Sequence, residues 1–499
     1  MGRSANHTRE TVLCCDIGGS SLRVGLVDAR GAVVATAAHA LTIPLDADGY
    51  SDVEPHLWWD VMCNLVAYLA AENPAALGRV VGISICGMTR TQVLIDDSGN
   101  AVRPAITWRD SRAVAEAADL AATYNGENID AYHPVARLAW VERHEPWVFA
   151  KASCVLDPKD YLALRLTGRP ASDRVSLARL QAVANANGPL AKYGGLLPKL
   201  LQPSSLIGYV GKGLPPPFDA LAGCPVLMAS NDTWTAVLGL GALRSGMAYN
   251  ILGTSEVLGL ITNQPATAQG LMSVVWGEGL HQLGGPSQNG GDVIPWLARI
   301  AGVSEQDPAA FLSRMLAEGR HPQPLLFLPF LQGERVPYWD PNLRGGFLGL
   351  SKGHGPVDLA WAVLEGAAFA ARVVLERAEE AAGGTAQEIR FGGGGARNKV
   401  WCQLRADLMR RTVVVGATAE PGLLGCAAVA WAGVGLYASL AQAQEIIARP
   451  HERYEPDPGK ADDYDKLFAI YKDAVSAVAP IAHRLTSLSS AKGLRPFRP

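Results

Sequence analysis

Three turns in this 499-residue chain are built from residues that let the main chain approach an anion. The first runs Asp16-Ile17-Gly18-Gly19-Ser20 and on to Arg23. The second is Gly253-Thr254-Ser255, and the third is the run Gly392, Gly393, Gly394, Gly395 that leads to Asn398. Glycine has no Cβ, so successive N–H groups in such a turn can converge on a phosphate, and a neighbouring hydroxyl adds a donor. Asp16, at the head of the first turn, could hold a divalent cation beside that phosphate, directly or through water. The plain alternative is a tight hairpin that needs glycine for its backbone angles, and for any single turn both readings stand. Three such turns together favour a nucleotide, although neither G-x-G-x-x-G nor G-x-x-x-x-G-K-[ST] occurs.

Asp232 lies in ASNDTWTAVLGLG (229–241), just after an apolar run and beside Ser230, Asn231 and Thr233. A carboxylate so placed can take a proton from a hydroxyl. It can equally cap the apolar helix that follows. Trp108, Asp110 and Arg112 in TWRDSR combine an aromatic face with charged groups, which suits a polyhydroxylated ligand or a salt bridge within a loop. The ten histidines form no H-E-x-x-H or other ligand grouping, and the eight cysteines form no C-x-x-C pair. No metal is assigned to the histidines, and the cysteines fit a reduced, cytoplasmic protein.

These residues must be held by ordered elements. Apolar runs at Thr11–Cys15 and Leu22–Val27 frame the first turn, and AYNILGTSEVLGLIT from Ala248 repeats the plan of strand, small-residue turn and strand. Two copies half a chain apart suggest a duplicated fold, with the boundary near 246. Strands are expected at Val33–Ala37, Val80–Cys86 and Ile389–Phe391, with helices around Leu57–Leu69, Ser111–Thr123, Leu359–Ala382 (capped by Asp358) and Lys399–Arg410. The alternation is that of an α/β protein. Its expected divisions are 11–246, 247–442 and a helical tail at 443–499. The uncharged stretch Gly422–Ala441 is long enough to cross a bilayer, but its alanines and glycines fit a buried helix and turn better, so no membrane partner is expected. With 44 Lys plus Arg against 47 Asp plus Glu, the net charge of −3 argues against a dedicated nucleic-acid binder. At 48% hydrophobic the chain can bury a large core, which excludes disorder.

Taken in order, DIGGSSLRVGLVD (16–28), VRPAITWRDSR (102–112), DPKDYLALRLTG (157–168), ASNDTWTAVLGLG (229–241), ILGTSEVLGL (251–260), LPFLQGERVPYWDPNLRGGFLGLS (328–351), DLAWAVLEG (358–366) and IRFGGGGARNKVW (389–401) resemble the FGGY carbohydrate kinases. The likeness runs from about residue 11 to 440 and is closest in its motifs to the xylulokinase-like pentulose kinases. Gly346–Glu365 fits the family's C-terminal signature. Tyr132–His144 fits its N-terminal signature, except that Arg137 stands where lysine is usual. The resemblance implies two actin-like (ribonuclease H-like) α/β domains with ATP and a sugar in the cleft between them. It implies Asp232 as the base, and Asp16 together with Asp232 around Mg²⁺. Gly18, Gly19, Ser20, Arg23, Gly253 and Thr254 would lie near the phosphates, with Gly393, Gly394, Gly395 and Asn398 bordering the adenosine.

The sugar would meet Thr89, Arg90, Trp108, Asp110 and Asp232. In CGMTRTQVLIDDSGNAVRPAITW (86–108), Met88-Thr89-Arg90 replaces the Gln-Met-His usual in xylulokinases. An arginine there can fork hydrogen bonds to hydroxyls or to a carboxylate, or turn away to pair with an acid such as Asp110. Pentuloses lead, while other ketoses, erythritol- or glycerol-type polyols and sugar acids stay open, as does a homodimer. A catalytically silent nucleotide-binding regulator is the reading outside the enzyme class.

Overall fold

A computed structural model describes residues 9–124, 129–184, 188–302 and 308–490. Contacts divide the chain into two compact units, one formed by the chain up to Gly241 together with Glu420–Arg449, the other by Ala242–Ala419 and the chain from Pro450 onward.

The first unit is organised by a six-stranded sheet. Its strands are β1 (Thr11–Ile17), β2 (Ser21–Asp28), β3 (Val33–Ala40), β4 (Val80–Gly87), β5 (Leu206–Tyr209) and β6 (Pro225–Asn231), in the order β5-β6-β4-β1-β2-β3. β1, β2 and β3 form an antiparallel meander, and β4 and β6 run parallel to β1. β1 is a continuous apolar run up to Asp16 because both faces of a central parallel strand are covered. Register then brings the working residues together. Ile17 lies opposite Gly87, and Gly87 opposite Asn231. Asp16, the segment Met88–Arg90 and Asp232 therefore all emerge at the carboxyl edge of three adjacent parallel strands, where open α/β sheets bind ligands.

The helix Pro421–Gly433 belongs to this unit, although the sequence placed it inside a second domain ending at 442. Glycines explain how it packs. A Cβ on Gly425 would lie 1.8 Å from the Thr235 carbonyl oxygen, and one on Gly239 1.9 Å from that of Pro421, so only glycine lets this helix touch the helix Asp232–Leu240. Trp431 Nε1 also donates to the Asp28 carbonyl at 3.0 Å. Its residues Gly422–Trp431 are all buried, which accounts for the absence of charge that the sequence shows there. Among the described residues no helix is long and apolar enough to cross a membrane.

The second unit has seven strands: β7 (Ala248–Leu252), β8 (Glu256–Thr262), β9 (Met272–Gly277), β10 (Leu280–Pro286), β11 (Ile389–Gly393), β12 (Val413–Gly416) and β13 (Pro450–Tyr454), in the order β9-β10-β8-β7-β11-β12-β13. With β9 set aside, β10-β8-β7-β11-β12-β13 repeats β3-β2-β1-β4-β6-β5 in both order and direction. The hairpin likeness seen in the sequence is thus the visible part of a repeated sheet. The long helix starts at Pro356 rather than Leu359, and Asp358 is not the cap. It sits in the first turn, where its carboxylate accepts from the Gly355 N–H at 2.8 Å and the His321 N–H at 2.6 Å. The expected tail is divided: residues to Arg449 go with the first unit, while β13 and the helix Ala461–Ser490 go with the second, and 491–499 fall outside the described residues.

Candidate active site

Asp16 is the next-to-last residue of β1, and its Oδ1 is buried with no hydrogen-bond partner. A Cβ at position 422 would lie 2.2 Å from its Oδ2, so the first turn of the helix Pro421–Gly433 closes over the carboxylate only because residue 422 is glycine. Asp232 opens the helix Asp232–Leu240, but the cap is its neighbour: Asn231 Oδ1 accepts from the Trp234 N–H at 2.9 Å. Asp232 is thereby released from capping. Its Oδ1 accepts from the Thr233 N–H at 2.7 Å and from Thr233 Oγ1 at 3.3 Å. Burial raises the pKa of both acids. Asp16 is pushed up to about 7, with the charge of Asp232 adding to the burial and a hydrogen bond from the Cys86 thiol opposing it. Asp232 is raised by burial, against the Thr233 hydrogen bonds and the charge of Arg90. Two mutually repelling carboxylates, one with an orphaned oxygen, form a donor set that suits a hard divalent cation.

The polar side of this edge is made by two loops. Arg90, just past β4, takes a left-handed φ of +60°, and its carbonyl accepts from Arg137 Nη1 at 2.6 Å. Trp108 is 36% exposed, and a Cβ on Gly19 would lie 3.6 Å from its Nε1, so the indole borders the first glycine turn. Asp110 follows the second of the two readings the sequence offered. It is fully buried, accepts from the Ser51 N–H at 2.5 Å, and pairs with Arg112 Nε at 2.9 Å and Nη2 at 2.7 Å. Arg112 in turn lies over the rings of Tyr50 at 4.3 Å and Trp140 at 4.9 Å. The salt bridge within the loop is the reading that holds for this pair, which braces the turn carrying Trp108. Thr89 also turns inward, its hydroxyl placed 3.1 Å from the Ser176 carbonyl and 3.3 Å from Asp157 Oδ2.

Behind the strand ends sits a buried charge cluster that sequence reasoning noticed only as a family segment. Lys159 Nζ lies 2.6 Å from Asp160 Oδ1 and 2.8 Å from Asp173 Oδ2, while Ser230 Oγ, two residues before Asp232, donates to Asp173 Oδ1 at 2.7 Å. The cluster ties down the end of β6, and through Asp157 and Thr89 it also reaches the end of β4.

The glycines of the turns separate into two kinds. Gly18, Gly19 and Gly253 carry no positive φ, and a Cβ there would meet no other protein atom closer than 3.4, 3.6 and 3.7 Å respectively. The hairpin alternative, in which backbone angles demand glycine, therefore fails at these positions. Gly393 is different, with a φ of +84° and a Cβ site 2.4 Å from the Leu252 carbonyl, and a Cβ on Gly395 would strike Leu252 Cδ2 at 2.3 Å. Packing against β7 demands those two, whereas a Cβ on Gly394 would meet nothing within 4 Å. Ser20 and Thr254 are exposed, Arg23 Nε lies 3.2 Å from Glu420 Oε2, and Asn398 caps the helix Lys399–Met409 by accepting from the Trp401 N–H at 3.0 Å. Sequence reasoning missed Gly290 and Gly291. The Gly291 N–H donates to the Gly253 carbonyl at 2.9 Å, and the Asp292 N–H to that of Thr254 at 3.2 Å, so this glycine pair supports the second turn. Adjacent glycines followed by an acid were the available signal.

A repeated sheet with a small-residue hairpin at the start of each copy, and carboxylates at a parallel strand edge, define an α/β protein of the actin-like class. Residues 11–239 match the N-terminal domain of the FGGY family of carbohydrate kinases and residues 248–434 its C-terminal domain, and the chain belongs to that family. It is accordingly a phosphotransferase that uses ATP and an alcohol group of a carbohydrate as acceptor. The chain is 30% identical over 413 residues to the xylulose kinase of Escherichia coli (strain K12), covering 79% of this chain and 84% of that one. It is 25% identical over 497 residues to the gluconokinase of Bacillus subtilis (strain 168), covering 92% and 94%. Among solved structures, a xyloylose kinase from Brucella ovis superposes with a TM-score of 0.81 at 27% identity, over 95% of this chain and all of that one.

Proposed function

We propose that this kinase phosphorylates a primary hydroxyl of a pentulose of the xylulose type, with Asp232 as the base and Asp16 and Asp232 as the residues that would hold Mg²⁺. The observation that carries the reading is the open first turn, where Gly18 and Gly19 leave a cradle that no protein atom fills, next to two carboxylates of raised pKa. Phosphoryl transfer asks little covalent chemistry of a protein and much positioning and charge compensation. In the first turn the Gly18 N–H is spent on the Ser21 carbonyl at 2.9 Å, which leaves the main-chain donors of Gly19 and Ser20 to supply compensation without lysines. Mg²⁺, when bound, neutralises charge on the transferred phosphoryl group. Asp232, raised by burial but still held toward the ionised form by Thr233 and Arg90, is poised to accept the hydroxyl proton. Trp108 offers an apolar ring to the carbon face of a sugar, and Arg90 a fork of donors to its hydroxyls. The xylulose kinase relatives support the pentulose.

A sugar acid is the second reading, because the cation of Arg90 close to Asp232 would also suit a carboxylate, and a gluconokinase is among the relatives. A coupled assay of ADP release over pentuloses, hexuloses, polyols and aldonates decides between them. The expected result is the highest kcat/KM on a pentulose. Asp232→Asn should lower kcat by about 10²–10⁴-fold, the usual weight of general-base catalysis. A variant that keeps full sugar-dependent turnover removes the base assignment, and an aldonate as best substrate replaces the pentulose.

A further inference from the structure

Arg137 lies in the first turns of the helix Pro134–His144 and is wholly buried. No ion pair engages it among the described residues. Its guanidinium spends its donors on main chain instead: Nη1 on the Arg90 carbonyl at 2.6 Å, Nη2 on the Trp108 carbonyl at 3.2 Å and on the Asp110 carbonyl at 3.1 Å, while Nε has no partner. Burial pushes its pKa down to about 10, against the nearby charge of Asp110 and with that of Arg90, so the group is still a cation at neutral pH. Enclosing a guanidinium without a paired carboxylate is costly, and carbonyl dipoles compensate only if all are aimed at it.

Those three carbonyls belong to two separate loops, one following β4 and one carrying the TWRDSR turn. Arg90 and Trp108 are the groups the proposed function gives to the sugar. Arg90 holds a left-handed backbone that a non-glycine residue adopts only when its surroundings over-determine it. The hydrogen bond from Arg137 is one of those determinants. On the other loop, the Asp110–Arg112 pair fixes the turn from one side while Arg137 fixes it from the other. A planar fork can serve carbonyls lying in different directions at once, which a single ammonium on a flexible stem does poorly.

We propose that Arg137 is a positioning residue for sugar recognition, whose buried guanidinium sets Arg90 relative to Trp108 and thereby determines which acceptor the site prefers. The inference rests on the reading that Arg90 and Trp108 contact the acceptor, and it adds a residue that touches no ligand. Arg137→Lys is the informative variant because it keeps the charge and removes the fork. Assayed with the best acceptor from the substrate screen, it should raise the KM for that acceptor about tenfold or more. It should leave the KM for ATP within about twofold and reduce discrimination between the acceptor and its epimer. Because Arg137 acts through its neighbour, the effect on acceptor KM should shrink when measured in an Arg90→Ala background, whereas a purely structural contribution would be additive. An unchanged acceptor KM, equal rises for acceptor and ATP, or strict additivity overturns the proposal. Arg137→Gln, which keeps two N–H donors without charge, is the second variant, and failure of both to fold assigns Arg137 to the fold and also overturns it. A wild-type enzyme that turns over none of the acceptors refutes the proposed function on separate grounds.

Discussion

Asp16 is held in a protonation state set by its surroundings more than by its chemistry. Its folded pKa of about 7 exceeds the ordinary value of 3.8, so folding favours the protonated form. By linkage, this acid's contribution to stability is full below 3.8 and is lost as pH rises toward 7. Asp16→Asn should therefore raise the melting temperature of the ligand-free protein at pH 8 and have little effect near pH 4. It should also abolish any rise in melting temperature that Mg²⁺ gives the wild type. Calorimetry at the two pH values checks both points, and a variant that melts lower than wild type at pH 8 contradicts the assignment. At this scale the sequence was readable in type but not in role. Asn231 and Asp232 are both capping residues one position apart, and only the emergence of the chain from β6 decides that Asn231 caps. Asp110 and Arg112 carry the composition of a sugar site, yet their mutual pairing consumes them. Arg137 was visible only as a departure from the family signature, since its partners are carbonyl oxygens, which every residue possesses.

The elements show where glycine serves a ligand and where it serves packing. Gly19→Ala and Gly253→Ala place a methyl group where no protein atom stands closer than 3.6 Å, so both variants should fold with melting temperatures close to wild type. Their cost should appear in the KM for ATP, about tenfold for each 1.4 kcal/mol of lost phosphate interaction. Gly425→Ala should behave oppositely, destabilising the fold, because its Cβ would sit 1.8 Å from the Thr235 carbonyl oxygen. Thermal melts and ATP titrations of the three variants separate the classes, and a Gly19→Ala protein that fails to fold would place that glycine in the packing class. The hairpins β1–β2 and β7–β8 were legible because a small-residue turn between apolar runs is a local signal. The charge cluster of Lys159, Asp160 and Asp173 was not, because Asp173, at the end of the short strand Ala171–Asp173, meets Lys159 only once the chain has folded back on the helix Pro158–Thr167.

At the scale of the molecule, the duplicated plan could be inferred from two hairpins, and the repeated strand order extends it to six strands in each unit. What the sequence concealed was the return of Glu420–Arg449 to the first unit. An all-apolar helix has no polar stripe to show which surface it covers, so periodicity identified it as buried without saying where. A fragment ending at residue 246 should accordingly be insoluble or molten, with the surfaces of β1 and the helix Asp232–Leu240 uncovered. Supplying residues 418–450 in cis through a flexible linker should restore a cooperative unfolding transition. A cooperative, soluble 1–246 fragment would contradict this account.

The late position of that helix also constrains how the protein is made. The first unit lacks the segment that closes over Asp16 until some two hundred further residues have left the ribosome, about 10–40 s at the usual ~5–20 residues per second. Throughout that interval the nascent chain carries a sheet with all six strands but without the helix that covers it, available to chaperones and to misfolding. In a cell, codon-level changes in the pace of translation between residues 242 and 419 would act on the yield of the first unit, whose own codons are unaltered.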